Sequence, residues 1–598
     1  MRGRTDSGRR LLLLLVAFAV GASGLVLRLG YWQLVRHDDL VASAHRQIYY
    51  RAAVPSQRGQ IYDRSGTIVL AASVARYRLI VAADKLSADQ QATMVDFLTT
   101  QLGLDATASG QLAAKLATGK PYLVVARDLP PETSTAIEAA ATAAGIQGIS
   151  FESDSARSYP QAGGGPKSTL AAQLIGFVNR DGAGQYGVEQ YYQDVLAGQP
   201  KVVEADRDSN GQPMLETERT IEPGVPGRDI RLTIDAGLQL AVEQEVMSAR
   251  IANHAKSVSA IVLDPWSGEI YAEASYPSYD ANNYAAIAGA DPSVFVDPVV
   301  SHVYEPGSVF KMLTVLAGLE TGTTALDRVY YDSGKMKLKD DTVIKDSDHR
   351  AMGNMRLEDA IAYSRNIVAA KVAMGLAPTT RQASDILYED WRRLGIGSLT
   401  GIDVAGELPG LVNDPTIAGW SQADLVNGAF GQGVAITQVQ LARAYAALIN
   451  GGIMVRPHVV AGIGTDAVSF NADPPVLDPA LSPTLAGLMN HVLKSPWYAD
   501  ISRAPGYWIG GKTGTAQVWD AQHNRWMPNS YNFSCVGFIG RQQGHPDLVV
   551  AVRISETNPR FPFASVDLFR RVATDAESTA GLLPTLTPAG TTTARAGG

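Results

Sequence analysis

A serine and a lysine three residues apart are the first candidates for chemistry in this sequence. Ser308 and Lys311 stand in the segment SVFK, directly after Pro306-Gly307 and before an apolar run through Leu316 that predicts a helix. Residues i and i+3 share one face of a helix, so the Lys311 amine can reach the Ser308 hydroxyl. The free N–H groups at a helix N-terminus favour negative charge that develops there. The pattern fits a nucleophile beside its base, although an S-x-x-K taken alone also fits a solvated helix pair.

Two further motifs follow along the chain. Ser364-Arg365-Asn366 ends a helical pattern over residues 357–363, and Lys512-Thr513-Gly514-Thr515 follows residues 508–511 on an expected strand. The order S-x-x-K, S-x-N and K-T-G is the signature shared by penicillin-binding proteins and serine β-lactamases. The three motifs together are far more specific than any one of them.

The residue types of the third motif suit a substrate that carries a carboxylate. Gly514 would let the substrate approach the strand closely, Lys512 supplies a point charge, and the hydroxyls of Thr513 and Thr515 can bind a carboxylate. In the second motif, Arg365 is larger than the small residue often found there. We therefore expect that Arg365 could alter access to the cleft.

The composition limits what else the chain can be. Its 598 residues allow several domains, and a net charge of −8 gives no basic surface for a nucleic acid. The single cysteine, Cys535, can form neither an internal disulfide nor a thiolate metal cage. Because it lies in a strand-like apolar run, we expect it in the packed core.

The N-terminus predicts a membrane anchor at residues 11–34. Arginines at positions 2, 4, 9 and 10 precede an apolar stretch, and Tyr31 and Trp32 suit an interfacial belt. Under the positive-inside rule, residues 1–10 stay in the cytoplasm and the rest lies outside. A cleaved signal peptide is the alternative, with small residues near Ala22 as a processing site. Since no second span is found, a single-pass protein is expected.

Three further segments follow the expected anchor. We predict an α+β pedestal at 35–225, a second domain at 226–575 with a central antiparallel sheet flanked by helices, and a disordered tail at 576–598. The turn-rich sequence GVPG at 224–227 marks the joint. The first and last strands of the second domain should close its sheet.

The whole chain resembles a class B penicillin-binding protein, a monofunctional peptidoglycan D,D-transpeptidase, with the septal type most similar. Segments 58–66, 157–160 and 186–189 resemble the family's membrane-proximal and pedestal motifs, which we interpret as ion pairs and turns that brace the pedestal. Asparagine rather than aspartate at position 366 favours the division type. A role in division or in elongation stays open.

The resemblance implies acyl transfer through a serine. Ser308 would attack the penultimate D-alanine carbonyl of a stem peptide and expel D-alanine, with Lys311 as proton acceptor. Ser364 and Lys512 would relay the proton, and Asn366 would orient the lysine and the donor. The N–H groups of Ser308 and Thr515 would form the oxyanion hole. Burial beside another cation should depress the pKa of Lys311, and β-lactams would trap Ser308.

One polar segment also resembles a metal site. His349, with Asp327, Asp346 and Asp348 nearby in sequence, is similar to the zinc-binding cluster of some elongation-type members. The cysteine of that cluster has no counterpart before Ser364. We interpret the segment as a polar loop and expect no metal or other cofactor.

Three other functions share part of this pattern. A β-lactamase would carry the same motifs but is normally a smaller secreted domain, and a β-lactam receptor should carry further spans or a cytoplasmic signalling domain. A catalytically silent scaffold is disfavoured because every reactive motif residue is present. Labelling with penicillin separates these alternatives.

The resemblance also implies partners. Between the anchor and residue 225 the chain matches a class B pedestal rather than a glycosyltransferase domain. We therefore expect a multispanning glycosyltransferase of the shape, elongation, division and sporulation family as partner. Small residues at 21–24 would permit close packing of the anchor against it. Such residues are also simply tolerated in a spanning helix, so both interpretations stay open.

Overall fold

The computed structural model describes residues 7–41, 49–206, 217–470, 473–520, 523–558 and 563–579. These residues divide into two compact units. One contains the N-terminal segment through Arg58 together with residues 197–227, and the other contains residues 59–196 and the chain from Arg228 onward.

The first unit contains an apolar helix and a small sheet. The helix Ser7–Gly30 continues into a π-helical turn, Tyr31–Val35. Its apolar stretch Gly8–Val35 has a mean hydropathy of 2.3, and its length and composition suffice to cross a membrane, as a membrane anchor requires. The sheet joins the strands Tyr49–Val54, Lys201–Asp206 and Arg219–Glu222 in antiparallel order.

The N-terminal part of the second unit is mixed α and β, as expected. Its helices are Ala88–Leu102, Ala106–Leu116, Pro131–Ala143, Ala172–Ile175, Gly187–Tyr191 and Gln193–Ala197, with a 3₁₀ turn at Ala83–Lys85. Its strands are Ile61–Tyr62, Val69–Val81, Leu123–Leu129, Ile149–Ser158, Phe177–Val178 and Gly184–Gln185. The long strands and the three long helices enclose a small core of their own.

The pedestal segments singled out in the sequence meet one another. Arg157 Nε donates to Glu189 Oε1 at 2.7 Å, and both side chains are buried. Arg157 Nη1 also donates to the Gly59 carbonyl at 2.7 Å, and the Tyr159 hydroxyl accepts from the Val178 N–H at 2.9 Å. The interpretation that these segments form ion pairs is confirmed for Arg157 and Glu189.

The C-terminal part carries the remaining elements. Its strands are Ile230–Leu232, Ser257–Leu263, Ile270–Tyr276, Val329–Asp332, Lys335–Lys337, Val343–Lys345, Gly353–Arg356, Val460–Ile463, Asp466–Ala467, Trp508–Asp520, Arg525–Gly540 and Leu548–Thr557. Its helices are Ala236–Asn253, Tyr284–Ala290, Pro298–Ser301, Lys311–Glu320, Leu357–Ala362, Asn366–Met374, Thr380–Arg393, Pro415–Ala418, Gln422–Gly428, Gln438–Ile449, Ser482–Lys494 and Ala564–Thr579. Short 3₁₀ turns lie at Ala281–Asn283, Pro292–Phe295, Gly307–Phe310 and Pro479–Leu481.

A five-stranded antiparallel sheet forms the centre of this part. Its strand order is Ile270–Tyr276, Ser257–Leu263, Leu548–Thr557, Arg525–Gly540 and Trp508–Asp520. The strand Ser257–Leu263, from the beginning of the domain, and the strand Leu548–Thr557, from its end, are therefore neighbours, as expected. In the strand Leu548–Thr557 every residue except Glu556 is buried, so both faces of the sheet are covered. The helices Ala236–Asn253, Gln438–Ile449 and Ala564–Thr579 pack on it.

A second sheet crosses the expected joint at residue 225. The strand Ile230–Leu232 pairs in parallel with Ile61–Tyr62 and antiparallel with Val460–Ile463. Strands from both sides of the joint therefore belong to one sheet.

At the other end of the chain, the helix Ala564–Thr579 includes residues 576–579 of the expected tail, and residues 580–598 lie outside the described ranges.

Candidate functional site

Ser308 lies on a tight turn at the start of a buried helix. The 3₁₀ turn Gly307–Phe310 leads directly into the helix Lys311–Glu320. The serine is half-buried, while Val309 and Phe310 beside it are fully buried. The buried Tyr445 hydroxyl donates to the Val309 carbonyl at 2.7 Å, and this hydrogen bond ties the turn to the helix Gln438–Ile449. The fold thus holds the turn rigidly and leaves its serine accessible.

Close backbone contacts place the Ser308 turn directly against the K-T-G strand, Trp508–Asp520. A side chain at Gly514 would put its Cβ 2.4 Å from the Pro306 carbonyl oxygen. A Cβ at Gly307, whose φ is +62°, would lie 2.6 Å from the Thr515 carbonyl oxygen. Gly514 was expected to leave room for a substrate. In the structure, the space that a side chain would fill is occupied by the turn that carries Ser308. Both glycines are required for the serine and the strand to lie side by side.

The Lys311 amine is fully buried and donates to Ser364. Its Nζ is hydrogen-bonded to the Ser364 carbonyl and lies 3.1 Å from Ser364 Oγ. Within the described parts of the chain, no hydrogen bond joins Lys311 Nζ to Ser308 Oγ. In this structure Ser364 is therefore the serine that the Lys311 amine contacts.

Lys512 approaches the same hydroxyl from the K-T-G strand. Its Nζ lies 3.0 Å from Ser364 Oγ, 3.1 Å from the Thr513 carbonyl oxygen and 3.3 Å from Thr513 Oγ1. Lys512 is fully buried. Two amines from distant parts of the sequence thus converge on one hydroxyl.

Burial lowers the pKa of both lysines, and the charge of Lys512 lowers that of Lys311 further. The pKa of Lys311 falls well below its usual value, because burial disfavours the charged amine and the Lys512 charge repels it. Burial lowers the pKa of Lys512 to about 7. The direction for Lys311 agrees with the sequence expectation. A neutral amine, the form that can accept a proton, is therefore accessible near neutral pH.

The two threonines of the third motif have different surroundings. Thr513 is buried, and its hydroxyl lies 3.1 Å from the hydroxyl of Tyr498 as well as near Lys512. Thr515 is exposed, in register with Phe533 on the neighbouring strand. Only Thr515 therefore offers a hydroxyl to the open side of this strand. Tyr498 was not singled out from the sequence, where nothing in its spacing marks it.

Arg365 is buried and does not project into a cleft. Only 1% of its side chain is exposed, and its guanidinium contacts the carboxylates of Asp332 at 2.8 Å, Asp346 at 3.2 Å and Asp348 at 3.0 Å. The expectation that its size alters access was therefore wrong. The physical reason is that a buried guanidinium needs counter-charges, and the segment 332–348 supplies them.

The residues on either side of Arg365 are held in defined conformations. Ser364 has a φ of +56°, a left-handed conformation that is uncommon outside glycine. Asn366 begins the helix Asn366–Met374, and its N–H donates to Asp346 Oδ1. Its side-chain amide donates to the Lys345 carbonyl at 2.9 Å. The second motif is thus tied to the segment before it at both the backbone and the side chain.

Two aspartates of the suggested metal cluster, Asp346 and Asp348, are partners of Arg365. In the described ranges, which include residues 217–470, no group of three or more histidine, cysteine or carboxylate side chains is arranged to hold a metal ion. Burial, together with a hydrogen bond that the protonated carboxyl of Asp346 donates to Asp332, raises the pKa of Asp346 to about 6. The polar loop is therefore an ion-pair cluster around an arginine.

Cys535 lies in the core beside the third motif. It pairs with Thr513 across two strands and is fully buried. Burial raises the pKa of its thiol well above the usual value. The prediction that Cys535 is packed core is confirmed.

Comparison with known proteins identifies the domains that carry this site. The model of the penicillin-binding protein transpeptidase domain matches residues 258–567, and that of the penicillin-binding protein dimerisation domain matches residues 53–232. A probable peptidoglycan D,D-transpeptidase PbpC of Pseudomonas aeruginosa is 29% identical over 548 residues, which cover 91% of this chain and 90% of that protein.

Two further relatives extend the comparison. Stage V sporulation protein D of Bacillus subtilis is 28% identical over 581 residues, covering 94% of this chain and 83% of that protein. The crystal structure of penicillin-binding protein 2X from Streptococcus thermophilus superposes with a TM-score of 0.72 at 22% identity, covering 89% of this chain and 81% of that one. The fold, the paired domains and the relatives agree, and the chain belongs to the class B penicillin-binding proteins, the serine-type transpeptidases of peptidoglycan.

Proposed function

We propose that Ser308 is the nucleophile with which this D,D-transpeptidase crosslinks peptidoglycan stem peptides. The observation that carries the proposal is the convergence of Lys311 Nζ and Lys512 Nζ on Ser364 Oγ, at 3.1 and 3.0 Å, beside an accessible serine on a helix N-terminus. Ser308 Oγ attacks the penultimate D-alanine carbonyl, and D-alanine leaves as the amine.

Lys311 serves as the base in this step. Its amine is fully buried next to a second cation, so its neutral form is favoured. It takes the proton of Ser308, and Ser364 passes a proton to the leaving amine, with Lys512 supporting the relay. The N–H groups of Ser308 and Thr515 stabilise the oxyanion. Asn366 orients the donor peptide.

The donor carboxylate binds at the K-T-G strand. This strand is an edge strand of the five-stranded sheet, so an extended peptide can bind beside it as an additional strand. The exposed Thr515 and the charge of Lys512 suit a carboxylate there, and Gly514 keeps the strand close to Ser308. Thr513, which contacts Lys512 and Tyr498, holds the lysine in place. An acceptor amine then resolves the acyl-enzyme, while a β-lactam leaves it trapped.

The N-terminal helix anchors the enzyme with its catalytic part outside the cytoplasm. Support comes from the apolar stretch Gly8–Val35 and from the arginines at its N-terminal end. The same anchor, together with the pedestal, docks a multispanning glycosyltransferase of the shape, elongation, division and sporulation family. The small residues at 21–24 support close helix packing there.

The test is covalent labelling by fluorescent penicillin of the full-length protein in detergent. The natural protein should be labelled and should release the label slowly. Ser308→Ala should abolish labelling with an unchanged melting curve, because only one hydroxyl is lost, whereas Ser293→Ala, an exposed serine outside the site, should label normally. Fast release would indicate a β-lactamase, and a natural protein without label would indicate a scaffold. Labelling retained by a folded Ser308→Ala protein would reject the nucleophile assignment.

A further inference from the structure

Arg365 sits at the centre of a cluster of three carboxylates, two of which are buried. Its Nε donates to Asp332 Oδ2 at 2.8 Å, and its Nη1 donates to both carboxylate oxygens of Asp348 at 3.0 Å. Its Nη2 donates to the Arg350 carbonyl and lies 3.2 Å from Asp346 Oδ2. All three arms of the guanidinium are therefore occupied.

The partners come from one segment of the chain. Asp332 ends the strand Val329–Asp332 and also accepts the N–H groups of Gly334 at 3.0 Å and Met352 at 3.2 Å. Asp332 thus fixes the loop that carries the other two carboxylates. Because Asp332 and Asp346 are buried, both carboxylates depend on their ion pairs with Arg365.

The cluster is directly next to the Ser364 hydroxyl, because Arg365 follows Ser364 in the sequence. Arg365 lies between Ser364, with its left-handed backbone, and Asn366, whose N–H is held by Asp346 Oδ1. The carbonyl and hydroxyl of Ser364 are the groups to which Lys311 donates. Movement of the Arg365 guanidinium would therefore displace Ser364, the hydrogen-bond partner of Lys311. Movement of an arginine in a surface ion pair would not.

We propose that Arg365, held by Asp332, Asp346 and Asp348, is a positioning residue that keeps the Ser364 hydroxyl between Lys311 and Lys512. The arginine touches no substrate and acts through the conformation of the turn. Its charge and its forked shape are both required, since it must satisfy carboxylates in three directions. The proposal rests on the proposed function only in taking acylation as the step that Ser364 serves.

Arg365→Lys in the full-length protein tests the proposal, because lysine keeps the charge and loses the fork. With penicillin, the acylation rate constant should fall at least about tenfold, while the dissociation constant of the noncovalent complex stays near that of the natural protein. Arg393→Lys is the matched control: this arginine also pairs with two carboxylates, Glu320 and Asp390, but at the far end of the helix Lys311–Glu320. It should lower the melting temperature without slowing acylation.

Hydrogen–deuterium exchange gives a second readout that needs no labelling. Amides of residues 360–370 should exchange faster in Arg365→Lys, while those of residues 438–449 should be unchanged. If the natural protein were not labelled by penicillin, the proposed function would fail, and the exchange comparison would still decide the positioning role. Unchanged acylation and unchanged exchange in a folded Arg365→Lys protein would overturn the proposal.

A milder variant covers the case in which Arg365→Lys does not fold. Asp348→Asn removes the one partly exposed carboxylate of the cluster, with Asp385→Asn, which loses a surface pair with Arg381, as its control. Asp348→Asn should slow acylation by a smaller factor, and Asp385→Asn should not. Equal acylation in the two variants would overturn the proposal whatever the fate of Arg365→Lys.

Discussion

Lys311 and Lys512 share one hydrogen-bond partner, since their Nζ atoms lie 3.1 and 3.0 Å from Ser364 Oγ although the two lysines are 201 positions apart in the sequence. Two charged amines at one hydroxyl would repel each other without screening by water. At least one amine is therefore driven towards its neutral form. Burial of the pair thus supplies a neutral amine at the position where a proton acceptor is needed.

Removing the Lys311 amine should slow acylation strongly without unfolding the protein. Lys311→Ala should lower the acylation rate constant with penicillin by about 10²–10⁴-fold, the range for loss of a general base. Because Lys311 and Ser364 act in one step, Lys311→Ala/Ser364→Ala should be little worse than the single variant. Stopped-flow labelling measures these rates, with Lys256→Ala, an exposed lysine, as control. Losses that multiply in the double variant would argue against a shared step.

The buried amines should make stability depend on pH. The pKa of Lys512 is about 7 in the folded protein and near 10.5 when unfolded, so between these values the unfolded chain binds more protons. The free energy of unfolding should therefore rise as the pH rises from about 7 to about 10. Lys512→Met should flatten this rise relative to the natural protein. Chemical denaturation at several pH values measures the slope, and parallel curves for the two proteins would contradict the shifted pKa.

The contact between the serine turn and the K-T-G strand should be sensitive to one methyl group. Gly514→Ala places a Cβ 2.4 Å from the Pro306 carbonyl oxygen and 2.4 Å from Ser534 Oγ. Overpacking of this kind costs about 1–3 kcal/mol of stability, and here it should also slow penicillin labelling. Gly487→Ala, in the helix Ser482–Lys494 with no atom within 4 Å of the new Cβ, is the control and should label normally. Equal labelling of the two variants would count against the contact.

The proposed glycosyltransferase partner can be tested through the anchor, which should contribute to its docking. Replacing residues 11–34 with an unrelated spanning helix, while the remainder of the chain is kept, should reduce co-purification with the glycosyltransferase. The physical reason is that small side chains at 21–24 permit closer helix packing than bulky ones in lipid. Pull-down from membranes with a tagged polymerase measures this. If the tagged polymerase captured the protein with the replaced helix as well as the natural protein, docking would depend on the pedestal alone.

The sequence predicted the parts of the site that depend on local patterns. The S-x-x-K motif predicts the start of a helix, and the K-T-G motif predicts a strand. Both predictions are possible because helix capping and strand alternation depend on residues close together in the sequence. The environment of Arg365 could not be read in this way, since Asp332 lies 33 residues away and any of several nearby acidic residues could have paired with it. Tyr498 was missed for the same reason, because only the folded chain brings its hydroxyl to Thr513.

The strand Ile230–Leu232 has a practical consequence for anyone dividing the chain into fragments. It is held between Ile61–Tyr62 on one side and Val460–Ile463 on the other. A fragment that starts at residue 226 would lose the partner on one side and expose a row of unsatisfied backbone N–H and C=O groups, which is a template for aggregation. A soluble catalytic fragment should therefore retain residues 59–196, because the segment that precedes the catalytic domain in sequence also seals the edge of its second sheet.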